Sequence, residues 1–164
     1  PCTIGVESTI VDFVNGEPII LRQGGVSLES IENTLNREVK TKTSSSRPVA
    51  PGMLDIHYAP KVPVVIDTID HMLEKLPAEK IGYLAFNKSN PKIPRQNQFV
   101  LSKTGNLTEA AQNFFYFLRK LDALDLALLV AEYLPEEDLG RAINDKLRRA
   151  ATRYENLNLP TNSM

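Results

Sequence analysis

The sequence predicts an α/β protein: the tail of one α/β unit, a connector, and a small unit built on a largely parallel sheet. Asn15-Gly16 lies between two β-branched runs, residues 9–14 and 19–21. Residues 40–47 are polar and have almost nothing to bury. Beyond residue 62, short apolar runs alternate with stretches of helical period. Strands separated by helices favour a parallel sheet with helices on its faces.

The first unit covers residues 1–36. Asn-Gly is a strong hairpin signal, because both central residues of a type I′ turn need positive φ. A two-residue loop sets Val14 opposite Glu17, Val11 opposite Ile20 and Thr9 opposite Arg22. A slip of one residue sets Ser8 opposite Arg22 instead. Cross-strand partners share a face of the sheet, so either register gathers small hydroxyls and a guanidinium at the hairpin's open end. Gly24-Gly25 follows. Ser27 then suits the N-cap of a short helix with Leu28, Ile31 and Leu35 on one side.

The connector, residues 37–61, changes character along its length. Lys40-Thr41-Lys42-Thr43-Ser44-Ser45-Ser46-Arg47 reads as loose. Pro48, Pro51 and Pro60 then restrict the backbone, while Gly52 permits a sharp turn. A segment that passes from loose to stiff suits a strap laid against something.

Residues 62–164 read as a Rossmann-like unit. Residues 62–67 form a strand, followed by a helix using Ile69, Met72, Leu73 and Leu76. Residues 80–86 and 98–101 form two more strands. Asn106 and Glu109 are spaced as a capping box, and Leu107, Ala110, Ala111, Phe114, Leu118 and Leu121 recur at helical spacing. A buried strand over 125–132 is bounded by Pro135. Leu139, Ala142, Ile143, Leu147, Ala150, Ala151 and Tyr154 mark a last amphipathic helix. Its Lys146, Arg148, Arg149 and Arg153 read as a solvated basic face, with Asp145 and Arg149 an ordinary i,i+4 pair. Gly140 suits close packing.

Bulk properties narrow the function classes. A net charge of -1 and a pI near 6.2 argue against an obligate duplex binder, which is usually more basic. Cys2 is the single cysteine, so no intrachain disulfide forms and a reducing, cytoplasmic setting is expected. No apolar run nears the roughly 20 residues a membrane span needs. The chain starts at Pro1 inside a strand-like pattern and reads as a piece of something longer. Cys2, His57 and His71 show no metal-ligand spacing, so no protein-bound metal is expected.

Few residues invite chemistry. Arg22 offers a permanently charged planar fork matched to phosphate oxygens, just before Gly24-Gly25, where a bare backbone can approach a ligand. From spacing alone, a surface arginine at a strand end is the favoured reading. Ser8 and Thr9 can donate to phosphate or carboxylate oxygens, or simply suit a strand and its entry. Glu7 and Asp12 fall on opposite faces by strand alternation and make no general base. His57 and Tyr58 can stack on a nucleobase and hydrogen-bond to phosphate or ribose, or merely dock the strap.

The ordered motifs Gly5-Val6-Glu7-Ser8-Thr9-Ile10-Val11-Asp12, Ile20-Leu21-Arg22-Gln23-Gly24-Gly25 and Ala50-Pro51-Gly52-Met53…His57-Tyr58-Ala59-Pro60 resemble those of the long, two-domain, YrdC-type threonylcarbamoyl-AMP synthases. Residues 140–151 are similar to that family's closing helix. Gln23 departs from a common proline, and Leu54-Asp55-Ile56 from a basic and aromatic run. The resemblance implies that residues 1–36 end a YrdC-like catalytic domain, 37–61 form a linker or lid, and 62–164 form the C-terminal Rossmann-like domain.

It further implies that Ser8 contacts threonine and that Arg22, Tyr58 and His57 contact ATP, supported by Thr9, Gly24 and Gly25. The implied nucleotidyltransferase reaction joins L-threonine, bicarbonate and ATP, with Mg2+ carried by the nucleotide, for threonylcarbamoyladenosine in tRNA. The family's remaining site residues are expected upstream of Pro1, so the fragment alone is expected to be inactive. An alternative is a non-catalytic module binding tRNA or a partner protein of that pathway, although charge disfavours tRNA.

Overall fold

In the computed structural model, residues 4–42 and 60–152 are described, and they hold two sheets. The first is built on β1 (Ile10–Val14) and β2 (Glu17–Arg22), joined through Asn15 and Gly16. Both turn residues have positive φ, 52° and 80°, as a type I′ turn requires. The pairing runs as expected from Val14↔Glu17 to Val11↔Ile20. It then shifts, and Arg22 stands opposite Ile10 rather than Thr9 or Ser8. A bulge of this kind places two residues, here Leu21 and Arg22, against one and re-aims the strand end.

Helix α1 (Leu28–Leu35) is capped by Ser27, whose side chain accepts from Ser30 N. None of its residues is fully buried. Lys40 and Thr41, expected in the loose connector, instead form β3, parallel to β2. Val39 beside them is buried, and this apolar anchor brings the backbone within reach of the free edge of β2. Residues 43–59 lie outside the described residues.

The second sheet contains β4 (Val64–Ile66), β5 (Ile81–Ala85), β6 (Gln98–Val100) and β7 (Leu128–Ala131) in the order β4-β7-β5-β6, with every pair parallel. All residues of β5 and β7 are buried, as unbroken apolar runs in a sheet covered on both faces demand. Alternate residues point to opposite layers. Ile81, Tyr83, Ala85, Leu128 and Val130 meet the short α2 (Ile69–Leu73), while Leu84, Leu129 and Ala131 meet α3 (Leu107–Asp122) and α4 (Asp138–Thr152). Between β5 and β6 runs only a 3₁₀ turn, Arg95–Asn97, so that one crossover lacks an α-helix.

The capping box at α3 is half formed. Asn106 accepts from Glu109 N at 2.9 Å, but Asn106 N donates to Ser102 Oγ. Ser102 in turn donates to the Glu109 carboxylate. The serine thus stands between the two ends of the box.

Helix α4 buries the expected apolar stripe from Leu139 to Ala150 but lacks the expected solvated basic face, while Arg153 and Tyr154 lie outside the described residues. Every residue from Leu139 to Ala150 is buried except half-buried Arg141 and exposed Arg148. Lys146 and Arg149, assigned above to a solvated face, are enclosed. The reason is tertiary: the first unit packs over that face. Val6 joins the α3–α4 core, Arg141 donates to Glu29 at 2.6 Å, and Lys146 donates to the Gln23 carbonyl at 2.8 Å. Among the described residues no helix is long and apolar enough to cross a membrane.

Candidate functional site

The open end of the hairpin gathers the residues with the most chemistry. Ser8 precedes β1 and is exposed, while Arg22 ends β2 and is half-buried. The bulge turns the Arg22 side chain back along the incoming strand. Its Nε donates to the Ser8 carbonyl at 3.0 Å, and an Nη donates to Ser8 Oγ at 3.0 Å. A charged planar fork thus holds a hydroxyl at a fixed distance, which is how guanidinium groups confer geometry as well as charge.

Neighbouring bonds lace segment 7–9 to segment 22–26. Thr9 Oγ1 donates to the Val26 carbonyl at 2.6 Å and accepts from Val26 N at 3.0 Å, so both hydroxyl functions serve the chain itself. Gly25 N donates to the Glu7 carbonyl at 2.7 Å. A β-carbon on Gly24 would lie 2.2 Å from that same carbonyl oxygen. The close approach that the glycine pair permits is therefore made by the protein's own Glu7–Ser8 backbone. Ser8 and Arg22 come together, Thr9, Gly24 and Gly25 support them as a clip, and His57 and Tyr58 lie outside the described residues.

Beneath this wall lies a buried cluster of charges that sequence patterning missed. The Lys146 side chain is 1% exposed, and its ammonium stands 3.6 Å from both Glu7 Oε2 and Asp145 Oδ2. Burial pushes its pKa down, Asp145 and Glu7 oppose that, and the Arg149 and Arg22 cations add to it. Glu7 Oε2 is buried without a hydrogen-bond partner. Lys146 falls four residues after Ala142 and four before Ala150, on the apolar stripe of α4. That spacing was the available clue, outweighed by its charge.

A separate cavity of about 500 Å³ opens at the carboxyl ends of β4 and β7, lined in part by Asp67, Asp70, Tyr83, Glu132 and Tyr133. Its acids are engaged: Asp67 with His71, Asp70 with Lys92, and Glu132 with Tyr83 and Phe86 N. Among the described residues no group of three or more His, Cys, Asp or Glu could hold a metal ion.

Comparison with known proteins gives a consistent result. Residues 26–152 match the family model described as threonylcarbamoyl-AMP synthase, C-terminal domain. The threonylcarbamoyl-AMP synthase of Pyrococcus abyssi is 32% identical over 164 residues, covering 90% of this chain and 46% of that protein. The Bacillus subtilis synthase is 27% identical over 161 residues, covering 92% and 46%. A crystal structure of P. abyssi Sua5 complexed with L-threonine superposes with a TM-score of 0.75 at 31% identity, covering 92% of this chain and 47% of that one. A variant of the same Sua5, with alanine at a consecutive histidine and tyrosine, gives 0.73 at 29% identity, covering 92% and 46%. The chain spans about half the length of the curated relatives it matches.

Proposed function

The chain belongs to the family of threonylcarbamoyl-AMP synthase C-terminal domains, and from that premise we propose that it serves as the C-terminal part of such a synthase. The whole enzyme, a cytoplasmic nucleotidyltransferase, joins L-threonine, bicarbonate and ATP and releases pyrophosphate. Its product, threonylcarbamoyl-adenylate, supplies an adenosine modification in tRNA. Residues up to about 42 complete the catalytic domain, the segment to 61 is the strap, and the parallel-sheet unit is the accessory domain.

The Ser8–Arg22 pair carries this assignment, with a hydroxyl and a guanidinium fixed 3.0 Å apart at the mouth of the hairpin. Ser8 holds threonine and Arg22 holds the triphosphate. The threonine-derived carbamate attacks the α-phosphate, and such transfers depend mainly on positioning and on stabilising the phosphoryl charge. A preset guanidinium supplies both without reorganising during the reaction. Magnesium arrives with the nucleotide.

His57 and Tyr58 close over the nucleotide and exclude water. Adjacent His and Tyr occur once in this chain, at 57 and 58, and a histidine–tyrosine pair is what the solved Sua5 variant replaces.

The test is Arg22→Ala in the complete synthase, read as pyrophosphate release that requires both threonine and bicarbonate. Loss of turnover or a raised KM for ATP is expected, and unchanged values for both remove Arg22 from the phosphate site. Residues 1–164 alone should release no pyrophosphate.

A further inference from the structure

We infer that Lys146 is a positioning residue for the Ser8–Arg22 wall, through which α4 of the parallel-sheet unit sets the geometry of the site. The inference rests on the placement of Ser8 and Arg22 proposed above, and deepens it by assigning the accessory domain a part in the reaction.

The argument starts from what the ammonium touches. Lys146 Nζ donates to the Gln23 carbonyl at 2.8 Å and faces Glu7 Oε2 at 3.6 Å. Glu7 is the residue before Ser8, and Gln23 is the residue after Arg22. A single cation, more than a hundred residues further along the chain, therefore grips the segments before β1 and after β2, one residue away from each site side chain. The Gln23 bond is to a backbone carbonyl, so it fixes the path of the chain irrespective of the side chain there.

This is a poor way to achieve docking alone. A lysine with a 1% exposed side chain gives up its hydration, and Glu7 Oε2 is buried with no hydrogen bond in return. Apolar residues of similar volume usually serve packing as well or better than a buried ion pair. What the charges add is direction: the ammonium has its best energy only when carbonyl 23 and carboxylate 7 both converge on it. Residues 7 and 23 thereby hold a fixed relation, and with them the distance between the Ser8 hydroxyl and the Arg22 fork. Arg149 and Asp145 brace the lysine from its own helix. Asp145 stands 3.6 Å from Nζ and takes the Arg149 guanidinium.

A double-mutant cycle in the complete synthase tests this. Lys146→Met, Arg22→Ala and the combined variant are compared by kcat and KM for ATP and threonine, with folding checked by thermal denaturation. If Lys146 acts through the wall, Lys146→Met alone lowers kcat/KM by about tenfold to hundredfold, the usual cost of small misplacement. Once Arg22 is already alanine, the same change costs less than about threefold, because the two act as one unit. An equal loss in both backgrounds overturns the inference, as that is how general destabilisation behaves. So does an unchanged kcat/KM for Lys146→Met.

A normal Arg22→Ala enzyme is a different failure, since it removes the site assignment on which the inference stands. Should Lys146→Met not accumulate as folded protein, Glu7→Gln keeps the ammonium and its carbonyl bond and carries the same cycle. Coupling to Arg22 then supports the inference, and additivity overturns it.

Discussion

Asp145 receives both prongs of the Arg149 guanidinium inside the protein, Nε at 3.0 Å and Nη2 at 3.1 Å, although the two residues lie four apart on one helix. Their side chains are 5% and 6% exposed. Removing one partner of a buried pair strands the other charge, which costs about 3–5 kcal/mol. Lys146, 3.6 Å from Asp145, compensates part of that charge, so Arg149→Met should lose somewhat less, about 2–4 kcal/mol. Its neighbour Arg148 reaches Glu136 at 3.2 Å with both side chains about half exposed, and exposed pairs contribute about 1 kcal/mol or less. Urea denaturation of the two single variants should separate these adjacent arginines clearly. Equal shifts in midpoint would mean that Arg149 is solvated.

Gly140 gives a second contrast with surface expectation. In an exposed helix interior, glycine to alanine gains about 1 kcal/mol through helix propensity. Here a β-carbon would lie 2.0 Å from the Pro135 carbonyl oxygen and 3.4 Å from Leu107 Cδ2. Backbone cannot yield as a side-chain tip can, so overpacking of about 1–3 kcal/mol outweighs the gain. Gly140→Ala should lower the thermal midpoint. A raised midpoint would show that the start of α4 has room to move.

Much of this architecture is legible in the residues themselves, and the exceptions have physical causes. The unbroken apolar runs around Tyr83 and Leu129 announce strands buried on both faces, and they form β5 and β7 in a wholly parallel sheet. Asn15-Gly16 fixes the hairpin and its register as far as Val11. Beyond Val11 the pairing departs, because a bulge is decided by where the chain ends must go and by Arg22's bond to Ser8, not by alternation. The pattern of α4 taken by itself predicts a solvated Lys146. Burial here comes from segments more than a hundred residues earlier, a relation no local period can contain. For Arg22, spacing alone favours a surface arginine over a ligand group; the pairing with Ser8 appears only in three dimensions.

The Tyr83 hydroxyl donates to the Glu132 carboxylate, whose other oxygen accepts from Phe86 N at 2.8 Å. Burial raises the Tyr83 pKa well above its ordinary value, and the hydrogen bond and negative charge of Glu132 raise it further. An unfolded tyrosine loses its proton near pH 10. Because the folded pKa is the higher one, the stability linked to this proton is fully present below about pH 10 and is lost as pH rises beyond it. Tyr83→Phe should be less stable than the parent at neutral pH, by about 1–3 kcal/mol for the stranded carboxylate oxygen. The gap should narrow in alkali, where only the parent carries the linked loss. Urea midpoints at about pH 8 and about pH 11 check this. A gap that widens would mean that the phenol ionises in the folded protein.

The last prediction separates charge from shape at the proposed site. Arg22 uses two nitrogens on one residue, Nε on the Ser8 carbonyl and Nη2 on its hydroxyl. Lysine keeps the positive charge but presents a single ammonium on a flexible stem, and it cannot reproduce that fork. Were Arg22 only a source of positive potential, Arg22→Lys in the complete synthase would retain most activity. If its task is to hold Ser8 and the triphosphate in one geometry, the variant loses at least one charge-assisted hydrogen bond, worth about 1.5–3 kcal/mol. That corresponds to a fall of roughly ten- to a hundredfold in kcat/KM. Ser8→Ala removes the hydroxyl while leaving the carbonyl bond, and should weaken threonine use more than ATP use. Steady-state kinetics with each substrate varied in turn distinguish these cases. Full activity in Arg22→Lys would reduce the guanidinium to a point charge and leave Ser8 without its holder.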